Sequence, residues 1–179
     1  MDEAEALERL RKKDEAALVW LIERYAPYVN TVIYNIIGTV ASSCDVEEVS
    51  SDVFLVLWQN AGAVREGKVK AYLGAVARNK AREKLRSLGG ELPLEEDVLS
   101  ISNLEHDLEE REQAELVRAA VEAMPSEDRE IFLRHYYYFQ PLARIAEELN
   151  MNLSTVKMRM RRGREKLKDE LKRRGYDVE

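Results

Sequence analysis

Apolar residues recur at three- and four-residue intervals along nearly all of this chain, and no run alternates apolar with polar residues as a half-buried strand would. A backbone patterned this way hides its apolar stripes by packing helix on helix, so the fold class is all-α. The helical period fails over one long internal stretch. From Gly89-Gly90 through Pro93 to Asp107 the sequence loses periodicity and gains acid, the composition of a tether. Two helical domains are therefore expected, 1–88 and 109–179, joined by an acidic flexible linker over 89–108 that proteases should cut first.

Within the first half, Asp14 can cap a helix with Leu18, Leu21, Ile22 and Tyr25 on its apolar face. Pro27 is placed to open the next helix, which carries Val29, Val32, Ile33, Ile36 and Ile37 inward. Asp45 is expected to start a third, with Val46, Val49, Val53, Phe54 and Leu57 on one side and Asp45, Glu48 and Asp52 on another. A polar loop, 61–67, leads to a fourth from Lys68 to about Ser87. In the second half, Leu116, Val117, Ala120, Val121 and Met124 make an apolar face, and Ser126 starts a helix running into the aromatic segment Tyr136-Tyr137-Tyr138-Phe139.

The net charge of -6 would argue against nucleic acid if it were evenly spread. It is not. Residues 1–60 carry 5 basic and 11 acidic side chains, 61–90 carry 8 and 2, 91–150 carry 5 and 16, and 151–179 carry 10 and 5. Two basic blocks thus stand apart as candidate nucleic-acid contacts, and the acidic blocks suit a basic protein or a channel built for a polyanion.

The second basic block follows a helix-turn-helix pattern. A short helix packs by Leu142, Ile145, Ala146 and Leu149 and stops at Asn150, a residue that tolerates the left-handed backbone of a tight turn. Asn152 can cap the next helix, which buries Val156, Met160 and Leu167 and leaves Ser154, Thr155, Lys157, Arg159, Arg161, Arg162 and Arg164 to solvent. Such a helix enters a major groove, where Arg and Lys donate to guanine edges or phosphates. A basic solvated helix at the end of a bundle is the plainer alternative, and the preceding helix and turn speak against it.

These residues resemble the extracytoplasmic-function sigma factors of bacterial RNA polymerase. Met124-Pro125 through Glu130, Ile145-Ala146 through Leu149, and Ser154-Thr155-Val156-Lys157 are similar to the family's fourth region. Independently, the run from Asp45 to Trp58 resembles the polymerase-binding helix of the second region, and Ala71 to Asn79 with Leu85-Arg86 resembles the helix that meets the melted promoter. The departures are Ser51 where the family often has Gln, Tyr72 for Trp, Val69 for Phe, and Pro141 for a capping Ser or Thr.

The resemblance implies roles. Asp45, Glu48 and Asp52 would dock on core RNA polymerase, although such a stripe is also what any solvated helix shows. Asn60, Arg65, Lys68, Lys70, Arg78, Asn79, Arg82 and Arg86 would hold the displaced strand of the minus-ten element, with cations tracking phosphates and Tyr72 serving either as a stacking surface or as a core aromatic. Ser154 through Arg164 would read the minus-thirty-five element of promoter DNA as duplex. The acidic linker would run toward the catalytic cleft or act as a simple solubilising tether. An anti-sigma factor is a further partner implied in this way.

Other functions are poorly matched. No apolar stretch approaches the roughly 18 residues of a membrane helix, and the acidic start, Met1-Asp2-Glu3, lacks the basic region of a signal peptide. Cys44 is the one cysteine, and His106 and His135 have no ligand partners at metal spacing, so a reducing, cytoplasmic setting without cofactor or metal is expected. No catalytic residues are expected, because no nucleophile-base set, phosphate loop or paired-carboxylate motif occurs. A free-standing operator-binding dimer would account for the C-terminal motif and leave the first basic block unexplained; a helical adaptor would explain neither.

Overall fold

The computed structural model describes residues 1–90 and 111–174, and the side chains of all of these but 111–115. Every regular element among them is helical. The chain divides into two compact units, Met1–Glu96 and Asp97–Glu179. Beyond Gly89-Gly90 the expected linker lies outside the described residues.

The first unit contains α1 (Glu3–Arg11), α2 (Glu15–Ile37), α3 (Ser43–Gln59), a 3-10 turn at Ala61–Ala63 and α4 (Val69–Ser87). Asp14 caps α2 as expected, its carboxylate accepting from the Ala16 N–H at 2.9 Å. Pro27 does not open a new helix. It lies inside α2, which buries Ala17, Leu21, Tyr25, Val29, Val32, Ile33 and Ile37 in one stripe across it. An interior proline costs about 3 kcal/mol. Seven buried apolar side chains, at about 1.5–3 kcal/mol for each large one, outweigh that local penalty. α3 begins earlier than Asp45 because Ser42 is the cap. The Ser42 hydroxyl accepts from the Asp45 N–H at 3.2 Å and the Asp45 carboxylate accepts from the Ser42 N–H at 2.9 Å, a closed capping box.

Small residues let α4 lie close to its neighbours. Its buried stripe is Val69, Leu73, Gly74, Ala77, Ala81 and Leu85, and a Cβ at Gly74 would overlap the Tyr28 hydroxyl of α2.

The second unit contains α5 (Arg111–Glu122), α6 (Ser126–Phe132), a π-helical turn at Leu133–Tyr137, α7 (Leu142–Glu148) and α8 (Leu153–Arg173). Its core joins Val117 and Val121 of α5 to Ile131, Phe132 and Tyr136, to Leu142, Ile145 and Ala146, and to Val156, Met160, Leu167 and Leu171. The aromatic segment does not continue α6 as a regular helix. It widens to the π turn and ends at Phe139 with φ 55, while buried His135 sets its Nδ1 3.0 Å from the Gln140 carbonyl.

Among the described residues, α1, α4 and α7 end in the same way. At α4, the Gly89 N–H donates to Arg86 O at 3.1 Å and the Gly90 N–H to Leu85 O at 3.0 Å, with Gly89 left-handed at φ 72. At α7, Asn150 (φ 51) donates to Glu147 O at 3.2 Å and Met151 to Ala146 O at 2.8 Å. At α1, Lys13 (φ 62) donates to Leu10 O at 2.9 Å and Asp14 to Arg9 O at 3.1 Å. Glycine and asparagine suit this closure, whereas a residue such as lysine gives up about 1–2 kcal/mol to adopt it.

Candidate nucleic-acid interface

The turn between α7 and α8 orients the basic helix. Asn150 supplies the left-handed residue, and Asn152 caps α8 by accepting from the Ser154 N–H at 2.9 Å and from the Ser154 hydroxyl at 2.8 Å. Val156, Met160, Gly163, Leu167 and Leu171 are buried, which turns Ser154, Lys157, Arg161 and Arg162 outward, with Arg164 also exposed on the flank. Thr155 is half-buried. Arg161 pairs with Glu165 at 3.1 Å on the open surface, where such a pair contributes little.

Arg159 departs from the expectation of solvent availability. Its guanidinium lies 2.8 Å from Asp128 and 2.8 Å from Glu127, both in the first turn of α6. The hydrogen bond to Asp128, with the charge of Glu127 beside it, raises the guanidinium above its ordinary value. Arg159 therefore fastens α8 to α6. One surface residue escaped the sequence reading: Met158, 46% exposed. A helical wheel anchored on Val156 and Met160 places it opposite the core, which is the signal that marks it as a surface residue despite its apolar side chain.

The first unit's basic residues follow a simple geometry. Each α4 cation of the expected set, Lys70, Arg78, Arg82 and Arg86, comes one position after a core residue, Val69, Ala77, Ala81 and Leu85. They consequently line one flank of α4 at the edge of its buried stripe. Lys70, Arg78 and Arg82 are half-buried and Arg86 is exposed. Lys70 sits over the Tyr28 ring, 4.8 Å from its centroid. Burial pulls the Arg78 guanidinium below its ordinary value, and the charge of Arg82 adds to the effect. Tyr72 is half-buried, and desolvation raises its phenol. Asn79 faces solvent.

Asn60, Arg65 and Lys68 belong to the α3–α4 loop. Asn60 ends α3 and its side-chain amide donates to Val56 O at 3.0 Å, while Arg65 is exposed and Lys68 half-buried. Buried Ala61 and Val64 hold the loop down.

The acidic stripe of α3 is divided. Lys84, on the flank of α4 opposite the cation row, reaches Asp45 at 2.8 Å and Glu48 at 2.7 Å. The hydrogen bond from Lys84, joined by those from Ser42, holds the Asp45 carboxyl well below the usual carboxylate range. Asp52 and most of Glu48 face solvent, and with them Leu55, 51% exposed and one turn beyond Asp52. Asp45 is thus structural cement, and the exposed part of the stripe is Glu48 and Asp52, with apolar Leu55 beside them.

Two descriptions of one family match this chain in order: Sigma-70 region 2 over residues 21–90 and Sigma-70, region 4 over residues 114–167. The chain belongs to the sigma-70 family, in its extracytoplasmic-function group. The ECF RNA polymerase sigma factor RpoE of Cereibacter sphaeroides is 28% identical, over 89% of this chain and 88% of that one. SigW of Bacillus subtilis, an ECF RNA polymerase sigma factor, is 21% identical over 93% and 95%. A probable RNA polymerase sigma factor of Xanthomonas campestris pv. campestris, RfaY, is 29% identical over 82% of this chain, which spans 38% of that relative's length. A sigma-70 member of this group serves RNA polymerase in transcription initiation, and an operator-binding dimer is not favoured. Among the described residues of this sigma factor, no helix is long and apolar enough to cross a membrane, and no group of three or more His, Cys, Asp or Glu is placed to hold a metal ion.

Proposed function

We propose that this sigma factor joins core RNA polymerase in the cytoplasm through the exposed acidic face of α3, opens the minus-ten element with the α3–α4 loop and the cation flank of α4, and reads the minus-thirty-five element with α8. In this reading residues 1–88 are the polymerase-binding and melting domain, 89–108 the linker, and 109–179 the duplex-reading domain. The carrying observation is the division of labour among cations. Lys84 and Arg159 are bound into the fold by acidic partners, whereas the α4 flank and the outer face of α8 present Arg86, Lys157, Arg161 and Arg162 to solvent. Phosphate contacts from such residues supply affinity, and base-edge contacts from α8 supply discrimination. An anti-sigma factor covering one of these surfaces is the regulator this arrangement invites.

Mixing the protein with core polymerase and, separately, with duplex promoter DNA tests the proposal. The protein should bind core tightly and bind DNA well only as part of the holoenzyme. Tight sequence-specific binding to duplex by the protein alone, with no affinity for core, would overturn it.

A further inference from the structure

We propose that Arg11 and Lys13, which lie outside every surface described above, are positioning residues for the minus-ten loop. They brace its backbone from the end of α1 and so set how readily it captures a base. The inference rests on the loop reading proposed above.

The loop between α3 and α4 is held by few backbone hydrogen bonds of its own. Its own backbone bonds are Ala63 N–H to Asn60 O at 2.9 Å, Val64 N–H to Ala61 O at 3.3 Å and Lys68 N–H to Arg65 O at 3.1 Å, and α4 begins at Val69 without a side-chain cap. Two carbonyls that bracket its first half take donors from the far end of α1. The Trp58 carbonyl, in the last turn of α3 where helical partners run out, accepts from Lys13 Nζ at 2.5 Å. The carbonyl of Val64, the residue before exposed Arg65, accepts from Arg11 Nη2 at 2.7 Å. The Lys13 ammonium also lies over the Trp58 ring, 5.0 Å from its centroid.

The backbone at Lys13 makes this more than a chance surface contact. α4 and α7 close with Gly89 and Asn150 at the left-handed position, and α1 closes by the same pair of hydrogen bonds with a lysine there. The turn alone would be better served by glycine. A strained residue retained at such a place is accounted for by what its side chain does, and here the side chain grips the start of the loop. A loop already held in one conformation loses less freedom when it binds an extruded base, so the brace acts on strand opening rather than on duplex affinity.

The geometry gives a test in which fold and function move apart. Lys13→Gly relieves the left-handed strain while removing both contacts, so the thermal midpoint should hold or rise. Holoenzyme carrying Lys13→Gly or Arg11→Met should nevertheless show roughly threefold to tenfold lower permanganate reactivity of minus-ten thymines, the scale of losing one or two hydrogen bonds. Core affinity and dependence on the minus-thirty-five element should be unchanged, and Lys13→Arg, which keeps the cation and donor, should restore opening. Arg65→Ala and Lys68→Ala serve as references. Normal opening in the Lys13→Gly, Arg11→Met double variant, with opening impaired in the references, would overturn the brace alone. Normal opening in the references would overturn the loop reading and the brace with it.

Discussion

Arg159 of α8 and Asp128 of α6 stand 2.8 Å apart, so one of the arginines of this basic helix is engaged in holding the helix in place. Neighbouring Arg162 is exposed. The two should behave differently when truncated. Arg159→Ala should lower the thermal midpoint and weaken all promoters together, and Asp128→Asn should reproduce much of that effect. Arg162→Ala should leave the midpoint unchanged and, where it meets a base edge, cost about 1–3 kcal/mol at one promoter position only. Thermal unfolding alongside holoenzyme binding to promoters substituted one base at a time separates the cases.

The pair formed by Asp45 and Lys84 predicts a pH signature. Asp45 titrates below its unfolded value, so its contribution is present above about pH 3.9 and is lost as pH falls through the folded value. Lys84 titrates above its own, raised first by Asp45 and then by Glu48, so the same pair contributes below about pH 10.4 and is lost as pH rises through the folded value. Lys84→Met should therefore flatten the midpoint-against-pH curve at both ends. A variant whose curve runs parallel to that of the parent protein would contradict this.

Polymerase docking should depend on the exposed residues of α3. Asp52→Lys should weaken core binding without changing helix content, since Asp52 lies on the solvent face. Glu48→Lys should also weaken it and carry a small loss of stability, because the new cation would face Lys84. Titration of labelled protein with core polymerase, together with circular dichroism, checks both.

Packing of α4 on α2 turns on the absence of a single carbon. Gly74→Ala should destabilise the first unit by about 1 kcal/mol, the low end for overpacking, because the added methyl meets the Tyr28 hydroxyl while alanine's better helix propensity offsets part of the cost. Tyr28→Phe removes that oxygen and should recover part of the loss when the two changes are combined, as read by chemical denaturation of all four proteins.

Features governed by one residue's own chemistry were legible in advance. Left-handed tolerance and capping are local preferences, and Asn150 and Asn152 sit where those preferences put them. Asp14 caps α2 by the same kind of local rule. A tertiary sum overrides a local rule at Pro27, which α2 absorbs because residues on both sides of it are buried. Ser42 caps α3 from a position before the apolar period begins, so the period alone puts the start of that helix too late, at Asp45. Nothing in a linear pattern pairs Lys84 with Asp45, Arg159 with Asp128, or Lys13 with the Trp58 carbonyl, since each contact joins separate elements. The candidate surfaces are therefore legible as sets of residues, while their division into exposed members and members bound into the fold is not.

In vitro transcription with core polymerase on a randomised promoter library reads both proposed DNA surfaces in one experiment. Transcripts should arise from promoters carrying two enriched elements at fixed spacing, with Arg162→Ala altering preference only in the upstream element and Arg65→Ala only in the downstream one. Absence of core-dependent transcripts, or one enriched element altered by both substitutions, would contradict the proposed function.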